Sequence, residues 1–310
     1  MYELKRYDAS LSKDWDYVVE HSKNGNFIHL TQYFRYHEAR FNDVSVLIYK
    51  KKRVVAIFPA NIFDTTIFSH SGLTYAGIIF LKDVGCKAML DIFDALKAHY
   101  KDLGAVDLVY KCIPSVFTRY PAEEDLYALF RNNAKLFRRD VSSVIEIARA
   151  PKLSDSRKCV IKKAEKNAVT FSSSVSTADF HALLSKVLER FDSKPVHSLS
   201  EIELLMSRFP ENIKVFGAVL EGQLLAAAMV FDFGHIVHTQ YLAASDAGRQ
   251  VGALDFVLNN LISDVYGNRQ YFSFGISTED GGQVLNEGLV SQKEGFGARA
   301  VVHDFYRMEL

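Results

Sequence analysis

The first half of the chain contains two kinds of apolar pattern, one typical of β-strands and one typical of an α-helix. Residues 44–60 predict a strand, a short basic turn and a second strand rich in Val and Ile, and a third strand is predicted around residues 68–75. After Gly85 apolar residues recur at helical spacing, and residues 106–111 predict a further strand. The predicted helix face consists of Met89, Ile92, Phe93, Leu96, Tyr100 and Leu103.

The same order of elements recurs in the second half. Residues 213–220 and 224–232 predict a hairpin around a Glu-Gly-Gln turn, and residues 235–241 predict a third strand that ends on tyrosine. A helix is predicted from Gly252 onward and a strand at 271–276. We interpret this as two copies of one α/β module, the alternative being a chance likeness between two α/β halves.

Helices dominate the stretch between the two predicted modules. A helix is predicted at 123–135, and a strand follows at 141–147. Ser156 is the predicted N-cap of a basic helix that ends at Asn167. Two more helices are predicted at residues 177–191 and 199–209. The pattern places the domain boundary near Ala150, so we predict domains at residues 1–150 and 151–310.

Composition limits the classes of protein that remain. The 310 residues are 48% hydrophobic and 24% charged, which is typical of a globular protein and excludes disordered, collagen-like and coiled-coil chains. Lys plus Arg and Asp plus Glu both number 37, so no overall field favours DNA or an anionic membrane. Any basic partner site is therefore expected to be local.

Cysteine spacing and apolar run lengths predict neither a metal site nor a membrane span. Cys86, Cys112 and Cys159 lie too far apart for a zinc site or a redox dithiol, so we expect reduced and mostly buried thiols. The first residues are charged where a signal peptide is apolar, and no run approaches the roughly 20 apolar residues of a membrane span. A cytoplasmic location is the expectation.

Several blocks of sequence resemble the FemAB-like branch of the GNAT (GCN5-related) acyltransferase superfamily. The blocks are Trp15 with residues 24–29, and residues 69–77, 157–166 and 272–297; residues 194–197, 238–241 and 286–296 are especially similar to uncharacterised bacterial members. The resemblance implies an α/β protein with two tandem GNAT folds and mixed central sheets. It also implies transfer of an acyl or aminoacyl group to an amine, with no tightly bound cofactor.

Two donors are compatible with this resemblance. Acyl-CoA enzymes of the superfamily bind phosphates at a turn that matches Arg249, Gln250, Val251, Gly252 and Ala253, although Leu254 stands where a small residue is usual and Gly252 alternatively serves only as a turn glycine. Asp83 occupies the corresponding turn of the first half, so donor binding is not expected there. Aminoacyl-tRNA is the other donor. Its predicted contacts are Arg157, Lys158, Lys162, Lys163 and Lys166, which alternatively form only a solvated helix face.

Candidate catalytic residues lie on the strand beside the expected cleft. Alternation along the strand predicts that His238 and Gln240 share one face, with Tyr241 next to them. His238 is the candidate acceptor of the amine proton, because histidine titrates near neutral pH, and the alternative is a structural histidine. His70 and Tyr75 occupy the matching strand of the first half and are expected to line an acceptor pocket at the domain junction.

Polar loops near the end of the chain are the candidate acceptor site. Ser277, Glu287, Lys293 and Glu294 are predicted to contact an amino sugar or amine, the alternative being ion pairs at the surface. Lys194 and His197 are further candidates on an earlier loop. The predicted function is transfer of an acyl or aminoacyl group to an amine of a cell-envelope precursor, either an amino sugar or a peptidoglycan-type peptide. The alternative is a catalytically silent tandem GNAT protein that binds a nucleotide-sugar, peptide or protein partner.

Overall fold

The computed structural model describes residues 2–310, in which strands and helices alternate. The strands are, in chain order, β1 (Tyr2–Arg6), β2 (Asn42–Asp43), β3 (Val46–Lys50), β4 (Arg53–Phe58), β5 (Asn61–Phe63), β6 (Thr66–Phe68), β7 (Ile79–Phe80), β8 (Asp107–Lys111), β9 (Lys135–Glu146), β10 (Thr170–Ser172), β11 (Ile213–Leu220), β12 (Gln223–Asp232), β13 (Ile236–Ala244), β14 (Tyr271–Ile276), β15 (Thr278–Glu279), β16 (Val284–Leu285) and β17 (Arg299–Glu309). The helices are α1 (Ser12–His21), α2 (Thr31–Phe34), α3 (Cys86–Asp102), α4 (Glu124–Arg131), α5 (Asp155–Lys166), α6 (Thr177–Leu188), α7 (Leu199–Arg208), α8 (Asp246–Val251), α9 (Ala253–Asn260) and α10 (Glu287–Gly295).

The periodic segments form the elements that their patterns predict. The helical face expected after Gly85 is the buried face of α3, except that Leu103 follows the helix and is 46% exposed. Both predicted hairpins are present, as β3–β4 and β11–β12. Each has two turn residues with positive φ, 50° and 67° in the first and 50° and 80° in the second. Such turns suit the right-handed twist of paired strands.

Four predicted boundaries are wrong, three of them for a local reason. The fourth is that of the strand expected over residues 141–147, which begins at Lys135. The strand expected over residues 68–75 ends at Phe68, because the chain turns at His70, where φ is 43°. The helix expected over residues 123–135 ends at Arg131, just before Asn133 with φ of 56°. The N-cap of α5 is Ser154 rather than Ser156, because the Ser154 hydroxyl accepts the bond from the third residue of the helix.

The chain divides into two compact units. Unit 1 comprises the described residues up to Asp140 together with residues 280–283 and 302–310, and unit 2 comprises residues 141–279 and 284–301. This division differs from the predicted 1–150 and 151–310 in placing the boundary inside β9 and in assigning the end of β17 to unit 1. That segment pairs antiparallel with β8, from Phe305 opposite Lys111 to Glu309 opposite Asp107. Such a pairing between distant segments leaves no local sequence signal.

Unit 1 contains two sheets and the helix α3. One sheet has the strand order β1-β3-β4-β7, and the other has the order β17-β8-β6-β5-β2, in which β6 and β8 run parallel. The apolar face of α3 packs into the core formed by these strands. The largest fully buried side chains of that core are Tyr100, Tyr110, Phe58, Phe80 and Phe93. A mixed sheet with a covering helix is the arrangement that the first predicted module requires.

Unit 2 contains the strands β10-β11-β12-β13-β14-β9 in that order. The pairs are antiparallel except for β13 and β14, which run parallel. Helix α9 buries Val257 and Leu258 in the core of the unit, and a π-helical turn at Leu261–Val265 continues it. The second predicted module therefore has the expected strands and helix, with the short helix α8 added before α9.

Buried histidines are a feature of the interior of unit 1. His29 and His303 both lie near Tyr75, with ring centroids 6.1 and 6.3 Å from that of the tyrosine, and burial lowers the pKa of each histidine to about 4. His70 packs on Phe34 and Phe41, and burial lowers its pKa to about 3. All three imidazoles are therefore neutral in the folded protein at pH 5, where a solvated histidine carries a proton.

We expect these histidines to make the protein sensitive to mild acid. Their folded pKa values lie below the unfolded value of about 6.5, so their contribution to stability is complete above pH 6.5 and falls as the pH drops below it. Asp125 acts in the opposite direction. Burial raises its pKa to about 6, so it binds a proton in the folded state as the pH falls, and this offsets the loss of stability caused by one of the three histidines. The free energy of unfolding should fall by about 2–3 kcal/mol between pH 6 and pH 5.

Urea denaturation at closely spaced pH values measures this loss. His303→Gln removes one buried imidazole and should flatten the pH dependence by about 1 kcal/mol over the same interval. His235→Gln, at a partly exposed position, is the matched control. A pH profile that is identical in His303→Gln and the native chain would show that His303 is protonated in the folded protein.

Candidate functional site

Strands β13 and β14 separate a short way along their length. They pair in parallel only from Ile236–Tyr271 to His238–Ser273, although β13 continues to Ala244. Just past the last pair, both strands become irregular. The register between β12 and β13 shifts at Gln240, and that between β14 and β9 shifts after Ser273. We infer that a gap opens between the neighbouring strands β13 and β14, immediately after His238.

His238 lies at the start of this gap. Its Nδ1 is 3.1 Å from the Ser273 hydroxyl oxygen, which also accepts a bond of 3.3 Å from the Gly275 amide. Gly275 has φ of 75°, and a Cβ there would lie 3.1 Å from Cε1 of His238. A glycine is favoured for both reasons, since it adopts this backbone conformation without strain and leaves room for the imidazole. The imidazole of His238 is thus held by the Ser273 hydroxyl, and it has room because Gly275 carries no side chain.

Lys293, from α10, closes the end of β14. Its ammonium donates to the carbonyls of Gly275 and Ile276, at 3.0 and 2.8 Å, and to the Ser277 hydroxyl at 2.7 Å. Burial lowers the pKa of Lys293 to about 8. Its partners are all neutral oxygens, so the ammonium is a net positive charge bound to Gly275, the residue that lies against the His238 ring. The structure thus brings the predicted residues Lys293 and Ser277 together.

The other predicted residues of this region lie apart from that ammonium. Glu287 and Glu294 are exposed on α10, and the bonds of Lys293 go to carbonyl and hydroxyl oxygens rather than to these carboxylates. The surface ion pairs weighed as an alternative are therefore not formed by Lys293. We expect Glu287 and Glu294 to face solvent, where a ligand has access to them.

Tyr241 is fixed by a different neighbour. Its hydroxyl lies 2.6 Å from Nδ1 of His197, and burial raises the pKa of Tyr241. His197 is buried, whereas Lys194, three residues earlier, is exposed. The register shift at Gln240 interrupts the alternation that was expected to place Gln240 on the same face as His238. The hydrogen-bonding partners of His238 and Tyr241 are different, Ser273 for the first and His197 for the second.

The predicted phosphate-binding turn is covered by α5. Gly252 ends α8 with φ of 78°, and a Cβ there would lie 2.7 Å from the carbonyl oxygen of Val160. Arg249 donates to the Ala244 carbonyl at 2.9 Å and forms an ion pair with Asp246. Gln250 is exposed, and the adjacent Val251 and Ala253 are partly and fully buried. Gly252 thus allows α5 to pack closely on the turn between α8 and α9. This fits the alternative given for Gly252 in the sequence analysis, that of a turn glycine.

A buried carboxylate lies in the first turn of α9. Asp255 forms an ion pair with Arg157 of α5 and accepts a bond of 3.1 Å from Gln292. Burial raises the pKa of Asp255, and the Arg157 guanidinium opposes that rise. A helix N-terminus attracts one negative charge, and here the protein supplies it. Arg157 is therefore removed from the predicted RNA-binding stripe, and the sequence pattern gave no sign of this pairing.

His70 and Tyr75 are interior residues of unit 1. The His70 imidazole accepts a bond of 3.3 Å from the Gly72 amide, and the ring packs among Phe34, His37 and Phe41. Tyr75 packs on Phe117 with the ring centroids 4.7 Å apart, and its pKa is raised by burial. Their predicted role in an acceptor pocket remains a prediction.

Ser273 and Gly275 are site residues that sequence reasoning missed. Both lie inside a segment of aromatic and small residues that was assigned only as a strand. The available signal was the glycine, because glycine within a strand often marks a bulge or a close approach by another group. A serine two residues before such a glycine is able to cap the irregular backbone with its hydroxyl.

Further expectations concern thiols, metals and membranes. Cys112 is buried but Cys86 and Cys159 are exposed, so the expectation of mostly buried thiols was wrong: Cys86 begins α3 and Cys159 lies on an outer face of α5. Among residues 2–310, no group of three or more His, Cys, Asp or Glu side chains is arranged to hold a metal ion. Over the same range, every helix is too short or too polar to cross a membrane.

The packing at Gly252 predicts a large cost for a single methyl group. Gly252→Ala imposes an unfavourable φ and brings Cβ against the Val160 carbonyl, so it should destabilise the protein by about 2–4 kcal/mol. Gly222→Ala is the matched control, because Gly222 has φ of 80° and no atom within 4 Å of a Cβ. It should cost about 1 kcal/mol. Equal losses of melting temperature in the two variants would contradict the contact between α5 and Gly252.

The sequence matches no protein-family model and no curated protein. Solved structures are similar, however. FemX aligns with a TM-score of 0.69 at 12% identity, over 99% of this chain and 97% of the FemX chain. L-PGS from Bacillus licheniformis aligns with a TM-score of 0.64 at 10% identity, over 95% of this chain and 90% of that chain. A tandem GNAT protein from the clavulanic acid biosynthesis pathway aligns with a TM-score of 0.56 at 11% identity, over 100% and 98% of the two chains. The predicted α/β class is thereby confirmed, and the chain has the tandem GNAT fold that FemX shares.

Proposed function

We propose that this protein transfers an aminoacyl group from an activated ester to a primary amine of a cell-envelope precursor. The observation that carries the proposal is the His238–Ser273 pair at the point where β13 and β14 separate. A histidine there stands beside an opening between two strands, where an extended donor has access to unpaired backbone. Residues 239–244 of β13 continue past the last pair with β14 and provide that backbone.

The reaction needs one proton acceptor and one stabilised oxygen. The lone pair of the acceptor amine forms a bond to the carbonyl carbon of the donor, and the tetrahedral intermediate expels the donor oxygen as the C–O bond breaks. The amine proton passes to Nε2 of His238 and then to the departing oxygen. The required tautomer has hydrogen on Nδ1, which donates to Ser273, and in this tautomer Nε2 is the ring nitrogen that accepts a proton.

Lys293 has a positioning role in this proposal. By binding the carbonyls of Gly275 and Ile276, it holds the end of β14 in the irregular path that keeps the strands apart. Its positive charge also lowers the energy of a negative oxygen forming nearby. Ser277, bound to the same ammonium and to the Val141 carbonyl, fixes the loop that follows.

The similar structures support an acyl-transfer function without identifying the substrates. The names of the neighbours refer to FemX, to a putative lysylphosphatidylglycerol synthetase from Agrobacterium fabrum and to a tandem GNAT protein in a form without AcCoA. The last of these names mentions AcCoA, and aminoacyl-tRNA is the donor that the sequence resemblance implies, so both donor classes remain relevant to this chain. In unit 2, only the residues available to bind phosphate groups distinguish between these two donors.

An aminoacyl-tRNA donor is favoured by the two faces of α5. One face covers Gly252 and pairs Arg157 with Asp255, so the turn expected to bind the diphosphate of CoA is occupied by protein. The other face carries Lys162, Lys163 and Lys166, which are exposed. Exposed lysines that follow one helix are suited to RNA phosphates. The donor is thus proposed to be a cosubstrate that leaves after each turnover.

Substitution of His238 tests the proton-acceptor role. His238→Gln retains a hydrogen-bonding side chain but no base, and should lower kcat by about 10²–10⁴-fold with little change of melting temperature. The assay supplies mixed aminoacyl-tRNAs labelled in the amino acid, with amino sugars and peptidoglycan-type peptides as acceptors. His235→Gln, just before the same strand, is the control and should leave kcat unchanged. Equal kcat in His238→Gln and the native protein would refute the role of His238.

The donor is tested separately by removing the lysines of α5. The triple variant of Lys162, Lys163 and Lys166 to Ala should weaken tRNA binding and reduce the slope of log affinity against log salt by about one for each phosphate that a lysine no longer neutralises. A control variant replaces three exposed lysines on other helices, Lys13, Lys101 and Lys186, and removes the same total charge. Equal binding by both triple variants would contradict tRNA contact along α5. Transfer from acetyl-CoA in place of aminoacyl-tRNA would identify the other donor class.

A further inference from the structure

An apolar and basic surface lies where α4 passes into β9, within unit 1. Phe130 near the end of α4 is 74% exposed, and Phe137 near the start of β9 is 47% exposed. The backbone keeps these two segments together, because the Ala134 amide donates to the Leu129 carbonyl at 3.0 Å. Exposed aromatic side chains that lie close together, unlike scattered ones, are typical of an interaction surface.

The last strand of the chain adds to this surface. Phe305 of β17 has its ring centroid 6.5 Å from that of Phe137. The Arg307 guanidinium lies over the Phe137 ring at 5.7 Å, and the Arg138 guanidinium lies over the Phe305 ring at 4.6 Å. We call this surface the α4–β9 patch and define it by Phe130, Arg131, Lys135, Phe137, Phe305 and Arg307.

The α4–β9 patch carries a net positive charge. Residues 127–139 contain four cations and no acidic residue, in a chain whose total charges balance. Two of the four cations are neutralised by carboxylates. Over residues 2–310, however, no carboxylate forms an ion pair with Arg131, Lys135 or Arg307, and all three side chains are exposed. The patch is therefore a local basic site of the kind that a balanced total charge still allows.

This combination of rings and cations favours an anionic lipid surface as the occupant. Aromatic rings are suited to the region between lipid headgroups and acyl chains, and arginine and lysine bind lipid phosphates. A second copy of the patch would place like charges opposite one another, which is unfavourable. RNA bases stack on open ring faces, whereas Phe137 and Phe305 each have a face covered by a guanidinium.

We propose that the α4–β9 patch binds an anionic membrane surface, with Phe130 and Phe137 inserted among the headgroups and the cations of the patch bound to lipid phosphates. The inference goes beyond the proposed transfer reaction and does not depend on it, because it concerns unit 1 alone. Each cation strengthens binding to an anionic surface by about fivefold. Insertion of a ring adds the free energy of removing apolar surface from water.

Flotation of the full chain with lipid vesicles tests the surface directly. The vesicles contain phosphatidylcholine either alone or with about one third phosphatidylglycerol, and we expect binding to the second kind only, weakened by added salt. The double variant Phe130→Ser with Phe137→Ser should bind about tenfold more weakly or worse, because it removes the inserted rings. Arg131→Ala with Lys135→Ala should weaken binding by a similar factor, because it removes two cations.

Matched control variants replace the same residue types elsewhere. They are Phe63→Ser with Phe191→Ser, at phenylalanines that are 68% and 72% exposed, and Lys13→Ala with Lys87→Ala, at exposed lysines of α1 and α3. Both control variants should bind the vesicles as tightly as the native chain. All four double variants should melt at the native temperature, because every replaced side chain is exposed.

Tryptophan fluorescence gives a second measurement, which does not rest on loss of binding. The chain has one tryptophan, Trp15, and it is fully buried. A change in the emission of Phe130→Trp on addition of vesicles therefore reports the new ring. A blue shift with phosphatidylglycerol vesicles supports insertion, and Phe63→Trp should show no shift.

Several outcomes would overturn the proposal. One is absence of binding to phosphatidylglycerol vesicles at low salt, and another is equal binding by the patch variants and their controls. A dimer in sedimentation velocity that Phe130→Ser with Phe137→Ser dissociates would overturn it by identifying a second copy of the chain as the occupant. Loss of tRNA binding in that variant, without vesicle binding by the native chain, would overturn it in favour of RNA. None of these results bears on His238, whose assay measures transfer in unit 2.

Discussion

The end of pairing between β13 and β14 is the constraint on which the candidate site of unit 2 depends. Had the parallel ladder continued beyond His238 and Ser273, its bonds would have occupied the backbone of residues 239–244. Three features prevent this: the register shift at Gln240, the positive φ of Gly275, and the ammonium of Lys293, which binds carbonyls at the end of β14. An ammonium buried without a carboxylate is costly, and its pKa of about 8 expresses that cost. The bonds of Lys293 therefore stabilise the irregular end of β14, and this irregular backbone keeps the two strands apart.

Unit 1 uses the same device with a different lysine. The Lys111 ammonium, at the end of β8, donates to the carbonyls of His70 and Leu73, and burial lowers its pKa to about 8. These bonds hold the turn that replaces the predicted strand over residues 68–75. Because carbonyl oxygens in a tight turn lack ladder partners, a lysine is able to satisfy several of them at once. In each unit, irregular backbone beside a strand end is satisfied by one buried cation.

Sequence reasoning succeeded where the signal was local and failed where distant segments meet. The apolar periodicity of α3, the two hairpins with positive-φ turns and the end of α5 at Asn167 all follow from neighbouring residues. The pairing of β17 with β8 and the packing of Val160 on Gly252 do not, since each joins residues far apart in the chain. His238 was identified as a candidate, but its partner Ser273 depends on register. Residue type thus predicts candidate chemistry, whereas register decides which residues act together.

The turns that precede α3 and α9 have opposite surroundings. Before α9, groups of the protein itself fill the place where a phosphate would bind. Val160 packs on Gly252, and the Asp255 carboxylate lies in the first turn of the helix. Before α3, no atom lies within 4 Å of a Cβ built on Gly85, and Asp83, two residues earlier, is paired with Arg53. A helix N-terminus attracts an anion in either case, and the difference is whether that anion belongs to the chain. A glycine at such a turn is therefore compatible with two roles, ligand binding and close packing between helices. On this argument, the glycine of a phosphate-binding motif indicates a ligand only where no neighbouring helix has taken its place.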